Sequence, residues 1–251
     1  LLYVYNPLGE NMEIIELDEV DSTNNYAKKH IHEFADSTII IANRQTSGRG
    51  RLNRKWIDLG DDNLFMSIIL KPSETFNENY PNITQYLCVV LCKVLETYGV
   101  KPEIKWPNDV LINGKKIAGI LSETSMQGQK LGGIILGIGV NLNSKPCNLQ
   151  NIPDKIATSL NIETGKYINI KTFTNELLQE FFSQYQKFIE KGFKLIKEDY
   201  INKNCFLNKN INIQVFNNTK TGFAKAINDK GELIIKTKDN KESVLTIGDI
   251  L

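Results

Sequence analysis

The chain is poor in the residues that carry most nucleophilic and metal chemistry. It holds two histidines, His30 and His32, four cysteines and three methionines among 251 residues. No two cysteines form a Cys-x-x-Cys pair and no zinc-type His spacing occurs, so no zinc site is expected. An excess of one charge is also missing: 30 Lys and Arg face 29 Asp and Glu, a formal net charge of +1. A dedicated nucleic-acid binder would show a strong basic excess. No run of about 18 apolar residues occurs, so no membrane-spanning helix is expected. The N-terminus lacks a basic start followed by an apolar core, so no secretory signal is expected. Without a Gly-x-x-x-x-Gly-Lys-Ser/Thr, any nucleotide must be held by something other than a P-loop. Gly137-Ile138-Gly139-Val140-Asn141 starts like a dinucleotide fingerprint, yet the third glycine is missing and no helix opens after it. Cys88, Cys92, Cys147 and Cys205 read as buried free thiols, which fits a reducing cytoplasm.

What is present suits one large domain, or one with a small companion. The hydrophobic fraction of 41% is enough for a buried core. Residues 13–20 alternate and read as a first strand, followed by Asp21-Ser22-Thr23-Asn24 and a short helix at 25–31. A β-branched strand at 38–42 delivers the chain into 44–56, which is too rich in Gly and Arg for a regular element. A strand follows at 64–70. Apolar positions 83, 87, 90, 91, 94, 95 and 98 predict a helix over 81–98, stopped by Gly99. A short strand at 103–106 leads into Pro107-Asn108-Asp109, and Asn113-Gly114 predicts a hairpin between 110–112 and 115–121. A long strand at 130–142 and an amphipathic helix at 172–189 complete this part. Four short strands at 211–216, 222–227, 232–236 and 243–247 then read as a small barrel. The change of pattern divides residues 1–204 from 205–251.

The densest chemical signal is Arg44 to Trp56, with five cations and two glycines in thirteen residues. Glycines let the main chain approach a ligand, and arginine forks suit phosphate and carboxylate oxygens. Alone, such a run is also a solvated loop or a nucleic-acid patch. Its place directly after a strand, in a neutral chain, favours an anionic substrate. Lys105-Trp106-Pro107-Asn108-Asp109 is either a plain turn or an acid held near a metal-bound phosphate, since magnesium takes one or two carboxylates plus substrate oxygens. In Lys115 to Leu121, Gly119 marks a close approach within a strand. Regular alternation puts Lys116 and Ala118 on one face, with Lys115, Ile117 and Gly119 on the other. Asp21 to Asn24, alone, is an ordinary helix cap.

Taken in order, these segments resemble the biotin protein ligase family. The matching wording is Asp-Ser-Thr-Asn, Gln-x-x-Gly-Arg-Gly-Arg-x-x-Arg-x-Trp, Lys-Trp-Pro-Asn-Asp, Lys-x-Ala-Gly-Ile-Leu-x-Glu and Gly-x-Asn, all between residues 21 and 141. The tail around 222–233 is similar to that family's C-terminal SH3-like barrel. The resemblance implies an α+β fold: a mixed sheet with flanking helices, like class II aminoacyl-tRNA synthetases, plus that barrel. It also implies two steps, with ATP, biotin and Mg2+. Biotin is first adenylated, and biotin then passes to a lysine of a biotin carboxyl carrier protein domain.

By the same resemblance, Ser22, Thr23, Asn24 and Gln45 look like the pocket for biotin's ureido ring. Gly48, Arg49, Gly50 and Arg51 look like a loop over the adenylate, with Arg54 on phosphates and Trp56 against the intermediate. Lys116 looks like the partner of the biotin carboxylate, and Gly119 lets the ligand pass. Asn108 serves the nucleotide side, as does Asn141. Asp109 serves the metal-phosphate region, indirectly through phosphate-bound magnesium, and the incoming lysine. Arg49, Arg51, Lys116 and Asp109 are the expected catalytic set. They supply charge and not a nucleophile, so no covalent enzyme intermediate is expected. The rival within the superfamily is a lipoate or octanoate protein ligase. A ureido pocket would leave polar groups unpaired around lipoate, at about 1–3 kcal/mol each. Operator binding is not expected, because some twelve residues before the first strand are too few for a helix-turn-helix. Family members occur as monomers and dimers, so a homodimer is one expected state.

Overall fold

The computed structural model describes residues 2–5, 11–60, 62–72, 78–128, 130–149, 152 and 156–251. Eight strands build the main sheet: β1 (Leu2–Tyr5), β2 (Asn11–Val20), β3 (Ile39–Gln45), β4 (Leu64–Leu70), β5 (Pro102–Lys105), β6 (Asp109–Ile112), β7 (Lys115–Gln127) and β8 (Lys130–Val140). Their spatial order is β1-β2-β3-β4-β8-β7-β6-β5. Only β2 and β3 run parallel, so the sheet is mixed. The expected first strand is thus preceded by β1, which pairs with it. Four residues carry too little periodicity to announce themselves.

Alternation along the central strands assigns each face. Leu64, Met66, Ile68 and Leu70 of β4, with Ile134, Leu136, Ile138 and Val140 of β8, enter the main core. Ile69 and Ile135 point the other way, into a small cluster with Ala27, Ile31, Phe34 and Ile40. That second face carries helix α1 (Thr23–Lys29) and, beside it, the pocket described below. The main core is organised by α2 (Ile83–Thr97), whose residues Leu87 to Cys92 are buried without a break. A helix apolar all round belongs in a core, and α2 packs against the sheet and against α5 (Ile170–Lys191) and α6 (Phe193–Asn202). Short α3 (Pro146–Leu149) and α4 (Leu160–Thr164) lie in the connection between β8 and α5. Neither of these nor α6 is legible as periodicity; the predicted helix at 172–189 is α5, capped by the Asn169 side chain accepting from Thr172 N at 3.0 Å.

The tail forms a second, antiparallel sheet: β9 (Asn210–Val215), β10 (Asn218–Ile227), β11 (Leu233–Lys236), β12 (Glu242–Leu245) and β13 (Asp249–Ile250), ordered β12-β11-β10-β9-β13. It is the small SH3-like unit, with one more strand than the pattern shows. Ile213, Ala224, Leu233 and Ile235 share the main core with α2. Polar ties reinforce the seam: Gln85 Nε2 donates to Gly231 O at 2.8 Å, and Trp106 Nε1 donates to the same oxygen at 3.2 Å.

Two local readings need correction. Cys88 and Cys92 are buried, but Cys147 is exposed and Cys205 half-buried. Cys147 sits in the short α3, of whose residues only Leu149 is buried. In the second case the hairpin turn is as expected, with Asn113 and Gly114 at φ 52° and 73°, which fits the left-handed pair of a type I′ turn. The strand after it does not alternate regularly. Val110 pairs with Ala118 and Leu111 with Lys116, so Ile117 is an inserted residue. This bulge turns Ile117, Ala118 and Ile120 all to the core, and leaves Lys116 and Gly119 together on the pocket face.

Candidate active site

A cavity of about 410 Å³ opens on the α1 face of the sheet. Every candidate residue lines it except Gly48: Ser22, Thr23, Asn24, Gln45, Arg49, Gly50, Arg51, Arg54, Trp56, Asn108, Asp109, Lys116, Gly119 and Asn141. Gly48 stands behind the wall. A Cβ there would lie 2.5 Å from Trp56 O, and Gly48 O accepts from Trp56 N at 2.9 Å. Its task is to close the base of the arginine loop, and any side chain would open it.

The floor is made of glycine. Gly119 on β7 pairs with Gly139 on β8, and Gly137 lies one same-face step further along β8. An added Cβ at Gly139 would come within 2.5 Å of Trp56 Cε2, and one at Gly119 within 2.9 Å of Trp56 Cζ3. The indole therefore lies directly on the glycine pair. One at Gly137 would meet Asn24 Oδ1 at 2.1 Å, so the start of α1 presses on the floor as well. Gly137 and Gly139 belong to the segment rejected as a dinucleotide fingerprint; its glycines serve close packing on a strand instead. Trp56 Nε1 is buried without a hydrogen-bond acceptor among the described residues. Orphaned buried N–H groups are rare in native proteins, so this one, in the cavity wall, is a free donor for a ligand.

The polar end is over-determined. Thr23 N and Oγ1 both donate to Gln45 Oε1, at 2.8 and 3.3 Å, which leaves the Gln45 amide nitrogen turned away from that contact. The Ser67 hydroxyl lies 2.8 Å from Thr23 Oγ1 and 2.7 Å from Asn24 Oδ1. Asn24 Nδ2 donates to Glu123 Oε2 at 3.0 Å. Ser22 occupies the N-cap position of α1 without making a side-chain cap bond, so the plain-cap reading of 21–24 fails. Its hydroxyl is spared for the cavity. Ser67 was missed inside an apolar strand, and Glu123 because it lies in the polar Ser122-Glu123-Thr124-Ser125 stretch, past the expected strand end at 121. The glutamate of Lys-x-Ala-Gly-Ile-Leu-x-Glu was the available signal.

Each of four cations rests on an acid, Arg49 beside the polar cluster and Arg51, Arg54 and Lys116 away from it. Arg49 Nη1 is 2.9 Å from Glu123 Oε1 and also donates to Asn25 Oδ1 at 2.9 Å. Lys116 Nζ is 2.6 Å from Asp109 Oδ1 and stands 5.5 Å from the Trp56 ring centroid. Arg51 and Arg54 share Asp249 of the second sheet, at 2.8 and 2.9 Å. Asn108 Oδ1 accepts from Arg51 at 3.1 Å, while Asn141 Nδ2 donates to Thr158 O at 3.1 Å. The loop itself is a small hairpin, with Arg49 bridging Lys55 and Gly50 N donating to Arg54 O at 2.8 Å. No group of three or more His, Cys, Asp or Glu side chains suited to a metal occurs among the described residues. Burial holds the Cys88 and Cys92 thiols well above their ordinary range, so neither is a ready nucleophile.

An apolar slot floored by main chain, with a hydrogen-bonding end and four cations, defines a ligase that joins an acyl carboxylate to a nucleotide. Residues 17–141 match the biotin/lipoate A/B protein ligase family, and residues 206–251 match the biotin protein ligase C-terminal domain. The chain is similar to the bifunctional ligase/repressor BirA of Bacillus subtilis, 32% identical over 223 residues that cover 86% of this chain and 68% of that one. It is similar to the biotin–[acetyl-CoA-carboxylase] ligase of Paracoccus denitrificans, 30% identical over 88% of this chain and 92% of that one. In structure it resembles the Aquifex aeolicus biotin protein ligase in complex with biotin and ATP, with TM-score 0.80, 31% identity and coverage of 95% and 97%. The chain belongs to the biotin protein ligase family.

The floor offers a direct test of the slot. Gly139→Ala would place a methyl where the indole lies, and overpacking of this kind costs about 1–3 kcal/mol. Biotin affinity, measured by calorimetry, is expected to fall about tenfold, which corresponds to 1.4 kcal/mol. A dissociation constant within twofold of the parent's would show that Trp56 does not roof the ligand.

Proposed function

We propose that the protein is an ATP-dependent biotin protein ligase acting on a lysine of a biotin carboxyl carrier protein domain. The observation that carries this reading is the meeting of Arg51, Arg54 and Lys116 around one slot that also holds the Ser22-Thr23-Asn24-Gln45 cluster, with Arg49 beside that cluster. Joining a carboxylate to a triphosphate brings two anions together, and fixed cations lower that barrier without any bond to the enzyme. Lys116 holds the biotin carboxylate; Arg51 and Arg54 hold phosphate oxygens, and Arg49 belongs to the loop that covers the adenylate. A carboxylate oxygen attacks the α-phosphorus and pyrophosphate leaves. The acceptor amine then attacks the acyl carbon and AMP leaves. The start of α1 and Gln45 take the ureido ring, Trp56 covers the acyl chain, and Asn108 and Asn141 face the nucleotide.

A magnesium ion that arrives on the triphosphate would neutralise its charge and needs only one or two protein carboxylates. Asp109 is the carboxylate assigned to that region, and it also receives the proton side of the incoming lysine. We further propose a division of the chain near residue 205 and a cytoplasmic location, with monomer and homodimer both open as its state. No helix among the described residues is long and apolar enough to cross a membrane. Biotin-dependent ATP–pyrophosphate exchange tests the activity, run beside lipoate and octanoate. Exchange that responds to lipoate or octanoate and not to biotin would replace this reading with the lipoate one.

A further inference from the structure

We infer that Asp249, from the second sheet, is a positioning residue for adenylation: it sets Arg51 and Arg54 in the orientation that receives ATP. This rests on the ligase reading above. Asp249 is the one acid in the cavity wall that comes from β13, about 200 residues from the loop it meets, as the Arg51–Asp249 separation of 198 positions states. It is 8% exposed, and its place is fixed on both sides. Asp249 pairs with Gln214 and Ile250 with Ile213, while Leu251 N donates to Asn212 O at 2.8 Å. Gly248 just before it has φ 154°, and a Cβ there would lie 2.8 Å from Ile213 Cγ2. The chain end is thus wedged against β9, with its carboxylate aimed at the loop.

The way the arginines are held matters more than the pairing itself. Arg51 spends a single nitrogen, Nη1, on Asn108 Oδ1, Gly248 O and Asp249 Oδ1, at 3.1, 3.1 and 2.8 Å. Its Nη2 and Nε make no hydrogen bond within the described residues, so an edge of the fork is left for a phosphate. Arg54 Nη1 stands 2.9 Å from Asp249 Oδ2, yet that oxygen receives no aligned hydrogen bond. One carboxylate behind two guanidiniums leaves a net positive charge facing the slot. Neither arginine needs to be ordered when ATP arrives, which is the benefit of a site built in advance.

The test is steady-state exchange with Asp249→Asn, which keeps the shape and removes the charge, together with Asp249→Ala and Asp249→Glu. Charge removal is expected to raise KM for ATP about tenfold, the size of one charge-assisted hydrogen bond. Biotin affinity without ATP should stay within about twofold, and Asp249→Glu should recover part of the loss. In the Arg51→Met background Asp249→Asn should have a smaller further effect than in the parent, because only Arg54 then still depends on it and coupled residues are not additive. The inference is overturned by an unchanged KM for ATP, by biotin affinity falling in parallel, or by full additivity with Arg51→Met. If neither charge-removing variant folds, Asp249 is structural and the inference is likewise overturned. Absence of biotin-dependent exchange in the parent protein would instead sink the ligase reading on which it depends.

Discussion

Replacing Lys116 by alanine is expected to cut biotin-dependent pyrophosphate exchange about 10²–10³-fold, the usual cost of losing one preorganised partner of developing or opposed charge. The prediction follows from where the bulge at Ile117 puts the side chain. Lys116 is turned to the same face as Gly119, with its ammonium beside Asp109 and over Trp56. The rival effect is structural, since Asp109 would lose its ion-pair partner. Both side chains are about a fifth to a quarter exposed, at 20% and 24%, so water screens the orphaned carboxylate. A pair of this kind contributes about 0–1 kcal/mol, which lowers the melting temperature of a chain this size by only about 2–4 °C. Activity should therefore collapse while the melting curve hardly moves. Exchange within fivefold of the parent would remove Lys116 from the carboxylate.

Arg51→Gly should act on the other half of the reaction, by letting biotinyl-AMP escape before transfer. Its side chain makes the three bonds that tie the arginine loop to Asn108 and to the second sheet. The loop's own hairpin bonds, Gly50 N to Arg54 O and Trp56 N to Gly48 O, involve backbone and survive the change. What is lost is the anchor, and glycine adds main-chain freedom at the same point. Three charge-assisted bonds lost together outweigh the retained hairpin. Release of free adenylate, followed with labelled ATP in the absence of acceptor, should rise about 10–100-fold, or about 1.4–2.7 kcal/mol of retention. Parent-like release with activity preserved would show that Arg51 does not hold the cover.

Much of this site is legible from order and wording alone. The arginine loop, Lys116, the 21–24 segment and the Asn113-Gly114 hairpin are short-range signals, and short-range signals depend on residue type more than on packing. Three features were hidden for physical reasons. The bulge that reverses the faces of β7 leaves no mark in an apolar run, because Ile117 and Ala118 suit either side. Ser67 sits inside a strand whose periodicity describes the core and Glu123 in the polar far half of β7, and only the folded pairing brings them to Asn24. Asp249 lies in a two-residue strand, too short to alternate, and reaches Arg51 only because the second sheet packs on α2. Cys147 shows the opposite failure, where a preference of cysteine for interiors gave way to a short surface helix.

The glycine floor has a consequence for selectivity that differs in kind from the hydrogen-bonding end. Trp56 lies on Gly119 and Gly139 and Asn24 on Gly137, so the bare main chain there sets how deep the indole and the start of α1 sink, and with them the depth left to a ligand. Such a gauge tolerates a flexible unbranched chain of varied chemistry and rejects a substituent on either flat side. Analogues lengthened along the strand direction should pass where analogues branched toward the sheet do not, so the acyl chain is discriminated by its profile and the ring by its polar atoms.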